Sequence, residues 1–127
     1  MITPIYASLL TFILLFLIVR VIKLRRKYSV GLGDGGNADL IAAIRMHGNF
    51  IETAPWGLML MFLIEYQDGN LFALHLLGIL LVIGRVLHLY ALKSSSIPMR
   101  VAGMMGTFAV FGLGALYNLY LAFTVGV

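Results

Sequence analysis

The sequence predicts an all-α membrane protein: a bundle of four transmembrane helices running up and down. Three observations carry that reading. The chain has 127 residues, 61% of them hydrophobic and only 11% charged, which is more apolar surface than a soluble domain of this size could bury. Four apolar segments recur, each extendable to the length of about 20 helical residues that a hydrocarbon core requires. Most of the connections are short, which sets sequential helices antiparallel. Residues 1–127 read as one domain without an internal repeat.

The first segment runs from about Ile5 to Ile22 and ends in the basic run KLRRK. It continues into a full span without the small-residue cleavage site of a signal peptide. The second, about Phe50 to Ile64, is short. The preceding ADLIAAIRMHGNF is helix-prone and follows the glycine-rich GLGDGGNAD, where Asn37 and Asp39 are cap-like. The second helix is therefore expected to start outside the membrane near Ala38 and to continue to about Glu65. The loop itself lacks the lysine and the serine or threonine of a phosphate loop and reads as a connection. EYQDGN is a tight turn with Asn70 as the N-cap of the third segment, about Leu71 to Leu92. KSSSIP is another turn, and it places Pro98 in the first turn of the fourth helix, which runs to about Val125.

The charges set the orientation. All nine Lys and Arg residues lie around the first or the third connection, while the second carries Glu65 and Asp68. The positive-inside rule then places the basic loops in the cytoplasm and both termini outside. The same distribution makes the net charge of +4 a topology signal, not a nucleic-acid surface. With no cysteine, disulfides, thiolate metal sites and a cysteine nucleophile are excluded, and no metal site is expected.

One polar group breaks the apolar pattern. At 100° per residue, Arg45, Asn49 and Glu52 fall within about 60° of one another, and His47 points the opposite way. Arg85 and His88, three apart, share a face of the third helix. Arg85 lies about 10 Å inside the cytoplasmic end of that helix, and Arg100 opens the fourth helix near the same end. An isolated carboxylate–arginine pair would fix helix register. Here one carboxylate, Glu52, meets three arginines, leaving an excess of positive charge suited to a carboxylate, a phosphate or another soft anion. Elsewhere, His75 reads as interfacial and Asn118 as an interhelical hydrogen bonder. Ala102, Gly106 and Ala109 read as a small-residue packing seam.

These residues resemble the signatures of the MAPEG superfamily, membrane-associated proteins in eicosanoid and glutathione metabolism, and especially its small bacterial members. R-x-H-x-N-x-x-E appears as Arg45, His47, Asn49 and Glu52; G-R-x-x-H as Gly84, Arg85 and His88; and a proline shortly before an arginine as Pro98 and Arg100. The likeness covers nearly the whole chain. It implies a homotrimer in a bacterial inner membrane, with glutathione as co-substrate bound between subunits toward the cytoplasm. Arg45, Asn49, Glu52, Arg85 and His88 would line that site, joined by Lys23 or Arg25 at the end of the first helix. Arg100 matches the arginine that stabilises the glutathione thiolate for attack on a lipophilic electrophile from the bilayer.

The implied activity is a glutathione-dependent transferase of the detoxification type, with peroxidase activity on lipid hydroperoxides as an extension. Leu92 stands where several eukaryotic members carry a tyrosine, Val101 where some carry a serine, and Gly48 where some carry an arginine. These departures speak against a prostaglandin synthase and leave glutathione binding intact. The competing reading is a non-catalytic lipid- or thiol-binding scaffold of the same fold. A transporter ranks last, because its polar groups would run through the full membrane depth.

Overall fold

The computed structural model describes residues 1–125, which form four helices and no strand. They are α1 (Thr3–Tyr28), α2 (Ala38–Tyr66), α3 (Leu71–Ser94) and α4 (Ile97–Thr124). The ends follow from local chemistry. Asn37 accepts from the Leu40 N–H at 3.1 Å to open α2, and Asn70 accepts from the Ala73 N–H at 3.1 Å to open α3. Ser96 caps α4 and Pro98 occupies its first turn, where the missing N–H costs nothing. Arg25, Arg26 and Lys27 fill the last turn of α1 and complement the carbonyl end of its dipole. The amino end of α1 is held from outside its own sequence: the Glu65 carboxylate accepts from the N–H groups of Ile2 and Thr3.

Three helices, α1, α3 and α4, are long and apolar enough to cross a membrane by length and composition. In α2 the polar first half dilutes the apolar run. Large apolar side chains face outward along the bundle, among them Phe12 (69% exposed) and Leu116 (66%). Water would not tolerate so continuous an apolar surface, so the fold is that of a membrane bundle.

Helices α2 and α3 stand at the centre. Each packs on the other and on α1 and α4, while α1 and α4 do not meet among the described residues. The core joins Leu10 and Leu17 of α1, Phe50 and Met61 of α2, Leu74 and Leu81 of α3, and Val110 of α4. Closest approach falls between α3 and α4. A Cβ on Gly103 would come within 2.7 Å of the Gly84 carbonyl oxygen and of the His88 nitrogen, so only glycine fits. The seam thus runs through Gly84, Gly103 and Gly106. Ala102, assigned to it from sequence, is exposed instead, because the contacting face lies one residue further round the helix.

The end remote from the glycine-rich loop is closed by polar bonds. Asn118 donates to the Leu60 carbonyl at 3.0 Å and accepts from Gln67 at 2.9 Å, the interhelical role expected of it. The Tyr6 hydroxyl pairs with Nδ1 of His75 at 2.8 Å, which ties that otherwise exposed histidine to α1.

Candidate functional site

The candidate site lies at the other end, between α2, α3 and α4. Its centre is Arg85, only 2% exposed. The sequence puts it there because Gly84 lets α4 close over that face of α3. One guanidinium nitrogen, Nη1, donates to Oδ1 of Asn49 and to Oγ1 of Thr53, the latter at 3.0 Å. The other, Nη2, donates to the thioether of Met104 at 3.3 Å. Nε is buried without a partner. Every acceptor that Arg85 finds is neutral. Among the described residues the one ion pair joins the Met1 amino group to Glu65 at 3.9 Å, at the opposite end of α2. A buried cation without a counter-charge is costly, and its persistence needs a reason beyond packing.

Beside Arg85 is a cleft of about 430 Å³ lined by Asn49, His88, Arg100, Met104 and the apolar Val101, Met105 and Phe108. His88 is buried and Arg100 is exposed. Arg100 also lines a smaller space of about 160 Å³ with Ser95 and Ser96 at the α3–α4 turn. A positive rim therefore leads onto an apolar strip along α4. Chemically the arrangement offers donors to an anion at one end and an oily surface at the other.

Of the residues singled out from sequence, Asn49, Arg85, His88 and Arg100 come together here. Arg45 and Glu52 do not join them. Both are exposed on the outer face of α2, and Glu52 forms no ion pair with an arginine of its own chain. The register pair considered from sequence is therefore absent among the described residues. Lys23 and Arg25 lie on α1, away from the cleft. Arg25 donates to the Gly33 carbonyl at 2.6 Å and so clasps the glycine-rich loop, while Lys23 lines a groove on the surface of α1. No three His, Asp or Glu side chains gather as metal ligands among the described residues.

Two participants escaped the sequence reading, Thr53 and Met104. Thr53 follows Asn49 by one helical turn and donates to its carbonyl at 2.7 Å, so the polar stripe extended by four residues would have included it. Met104 gave no signal, since a methionine in an apolar helix reads as packing.

The sequence model of the MAPEG family matches residues 3–120. Among curated proteins, the inner membrane protein YecN of Escherichia coli (strain K12) is 35% identical over 120 residues, covering 94% of this chain and 92% of the relative. YecN of E. coli O6:H1 (strain CFT073 / ATCC 700928 / UPEC) matches to the same extent. No solved structure matches the chain.

Proposed function

The chain belongs to the MAPEG family, and from that premise we propose that it is a membrane-bound glutathione-dependent transferase, acting as a homotrimer in a bacterial inner membrane. The observation that carries the reading is Arg85, a buried guanidinium with neutral partners, an unpartnered Nε and a second arginine lining the cleft beside it. Such a site favours a ligand that brings its own negative charge. Glutathione brings two carboxylates and one ammonium, and its thiol, with a pKa near 8.5 like that of cysteine, is mostly protonated at pH 7.

The chain's own residues divide the work. Arg85, held by Asn49 and Thr53, fixes a carboxylate. Glu52, exposed and without an ion-pair partner in its own chain, is free to take the ligand's ammonium. Arg45 adds a further donor on the same face, and Lys23 or Arg25 would complete the site from a neighbouring copy. Arg100 holds negative charge on the sulfur, and His88 orients the ligand beside it. When bound, the thiol supplies the nucleophile, attacking an electrophile or lipid hydroperoxide that arrives along Val101, Met105 and Phe108. The protein's part is proximity and electrostatics.

An ultraviolet difference titration of the detergent-solubilised protein with glutathione tests this directly. The expected result is a thiolate band at neutral pH, lost in Arg100→Ala while binding measured by calorimetry persists. A flat titration on an intact assembly would sink the transferase reading and leave a scaffold of the same fold.

A further inference from the structure

The methionine that touches Arg85 carries chemistry of its own. Met104 stands one helical turn after Arg100 on α4. It is half-buried, and its side chain lines the cleft of about 430 Å³ beside Asn49, His88 and Arg100. Its thioether accepts from Nη2 of Arg85 at 3.3 Å. A thioether is a weak acceptor, and Nε of the same buried guanidinium has no acceptor at all. Arg85 is thus a charged donor short of strong acceptors, and a sulfur on the wall of the cleft stands where one would be. The other methionines lack this combination. Met46 also meets an arginine, Arg20 at 3.5 Å, but is fully buried, as is Met61. Met59 and Met105 are exposed and receive no donor among the described hydrogen bonds.

Oxidation of a packed methionine ordinarily buries a polar oxygen without a partner and disrupts its surroundings. At Met104 the partner is already in place. We propose that Met104 is a reversible oxidation site with a hydroperoxide as its oxidant, and that the sulfoxide competes with the anionic ligand for Arg85. One lone pair of the sulfur faces Arg85, and the other is left to attack the terminal oxygen of the hydroperoxide. The O–O bond breaks as the S–O bond forms. The sulfur gives up two electrons, and the peroxide's own proton moves to the departing alkoxide, so the products are a sulfoxide and an alcohol. Rotation about the flexible side chain then turns the new oxygen toward the guanidinium. A charge-assisted hydrogen bond replaces a weak contact, and a donor that would meet a carboxylate is occupied. The oxidation and its hold on Arg85 stand apart from the thiol reading; the loss of ligand affinity rests on it.

The test treats the detergent-solubilised full chain, in a Met59→Leu, Met105→Leu background, with limiting cumene hydroperoxide, and locates the added oxygen by peptide mass spectrometry. Met104 should gain one oxygen atom while Met46 and Met61 stay unmodified, and the thermal midpoint should hold or rise. With Arg85→Met in the same background, the oxidised protein should melt below the unoxidised one, because the sulfoxide has lost its donor. Glutathione affinity by calorimetry should fall at least about tenfold, the scale of one hydrogen bond to a charged group. The two methionine sulfoxide reductases, one for each epimer, should restore it. Met104→Gln, which puts a permanent carbonyl oxygen there, should bind glutathione weakly without any peroxide. Met104→Leu should keep whatever affinity it has through the treatment. An unmodified Met104, under conditions that oxidise Met59 and Met105 of the unsubstituted chain, would overturn the site. An equal drop in midpoint with and without Arg85 would overturn its hold on the sulfoxide, and lost affinity in treated Met104→Leu would overturn the competition. If the untreated chain binds no glutathione, the transferase reading fails by itself, and the mass and midpoint measurements still decide the oxidation site.

Discussion

At the scale of single residues, Arg85 is the point where stability and function part. Its burial removes a full charge from water, and its partners are an amide, a hydroxyl and a thioether. Replacing such a cation with an apolar side chain of similar length is often neutral or stabilising. Arg85→Met should therefore keep or raise the thermal midpoint in detergent while abolishing glutathione binding. A midpoint lowered by more than about 5 °C, roughly 1 kcal/mol or more for a chain of this length, would make Arg85 a structural residue. Thr53→Val offers a gentler probe. It removes one hydrogen bond to a charged group, worth about 1.5–3 kcal/mol, and should weaken glutathione binding by at least about tenfold, a loss that calorimetry would register. The arginine and histidine positions were legible because charge inside an apolar run is conspicuous. Thr53 and Met104 were not, because their role exists only once α2, α3 and α4 converge.

At the scale of elements, the ends of α2, α3 and α4 were legible to within a residue or two because they rest on local chemistry, whereas α1 runs six residues past the apolar run that ended at Ile22, through its basic last turn to Tyr28. Asn37, Asn70 and Pro98 cap or open helices through their own bonds and ring geometry, whatever the tertiary context. The packing seam is a different matter, since small residues recur around α4 and only the partner helix decides which of them are used. Gly103 and Gly106 test that decision. A methyl group on Gly103 would meet backbone atoms of Gly84 and His88 at 2.7 Å, whereas on Gly106 it would meet its nearest neighbour at 3.5 Å. Backbone cannot step aside as a side-chain tip can, so Gly103→Ala should lower stability by about 1–3 kcal/mol, and Gly106→Ala should change little. Thermal scans of both variants would check this, and equal midpoints would remove the close α3–α4 approach from the account. Separating those helices also displaces His88 from Arg100, so Gly103→Ala should lose thiolate formation as well.

At the scale of the whole molecule, the polar groups fall into two populations at opposite ends, and the direction of the chain in the membrane decides which compartment each one meets. The Arg85 cleft lies at the end of the glycine-rich loop, and Glu65, Asn118 and His75 close the other. From the nine Lys and Arg residues, all near the first and third connections, the positive-inside rule leads to the expectation that the cleft faces the cytoplasm, where a cytosolic thiol would reach it. The exposed Glu52 adds a second demand. A carboxylate facing lipid costs a few kcal/mol, so its face of α2 calls for a neighbouring copy or a ligand. The proposed homotrimer would bury that face, and native mass spectrometry in mild detergent should then give three chains per particle. Orientation is the prior question, and the absence of cysteine makes it cleanly accessible. Leu32, 93% exposed in the loop, and Tyr66, 78% exposed at the far end of α2, bracket the bundle. In right-side-out spheroplasts, a membrane-impermeant maleimide should modify Tyr66→Cys and spare Leu32→Cys, and permeabilisation should expose both. The reverse pattern would turn the Arg85 cleft away from the cytoplasm, and a cytosolic thiol could then no longer be its ligand, whatever the cleft's affinity in detergent.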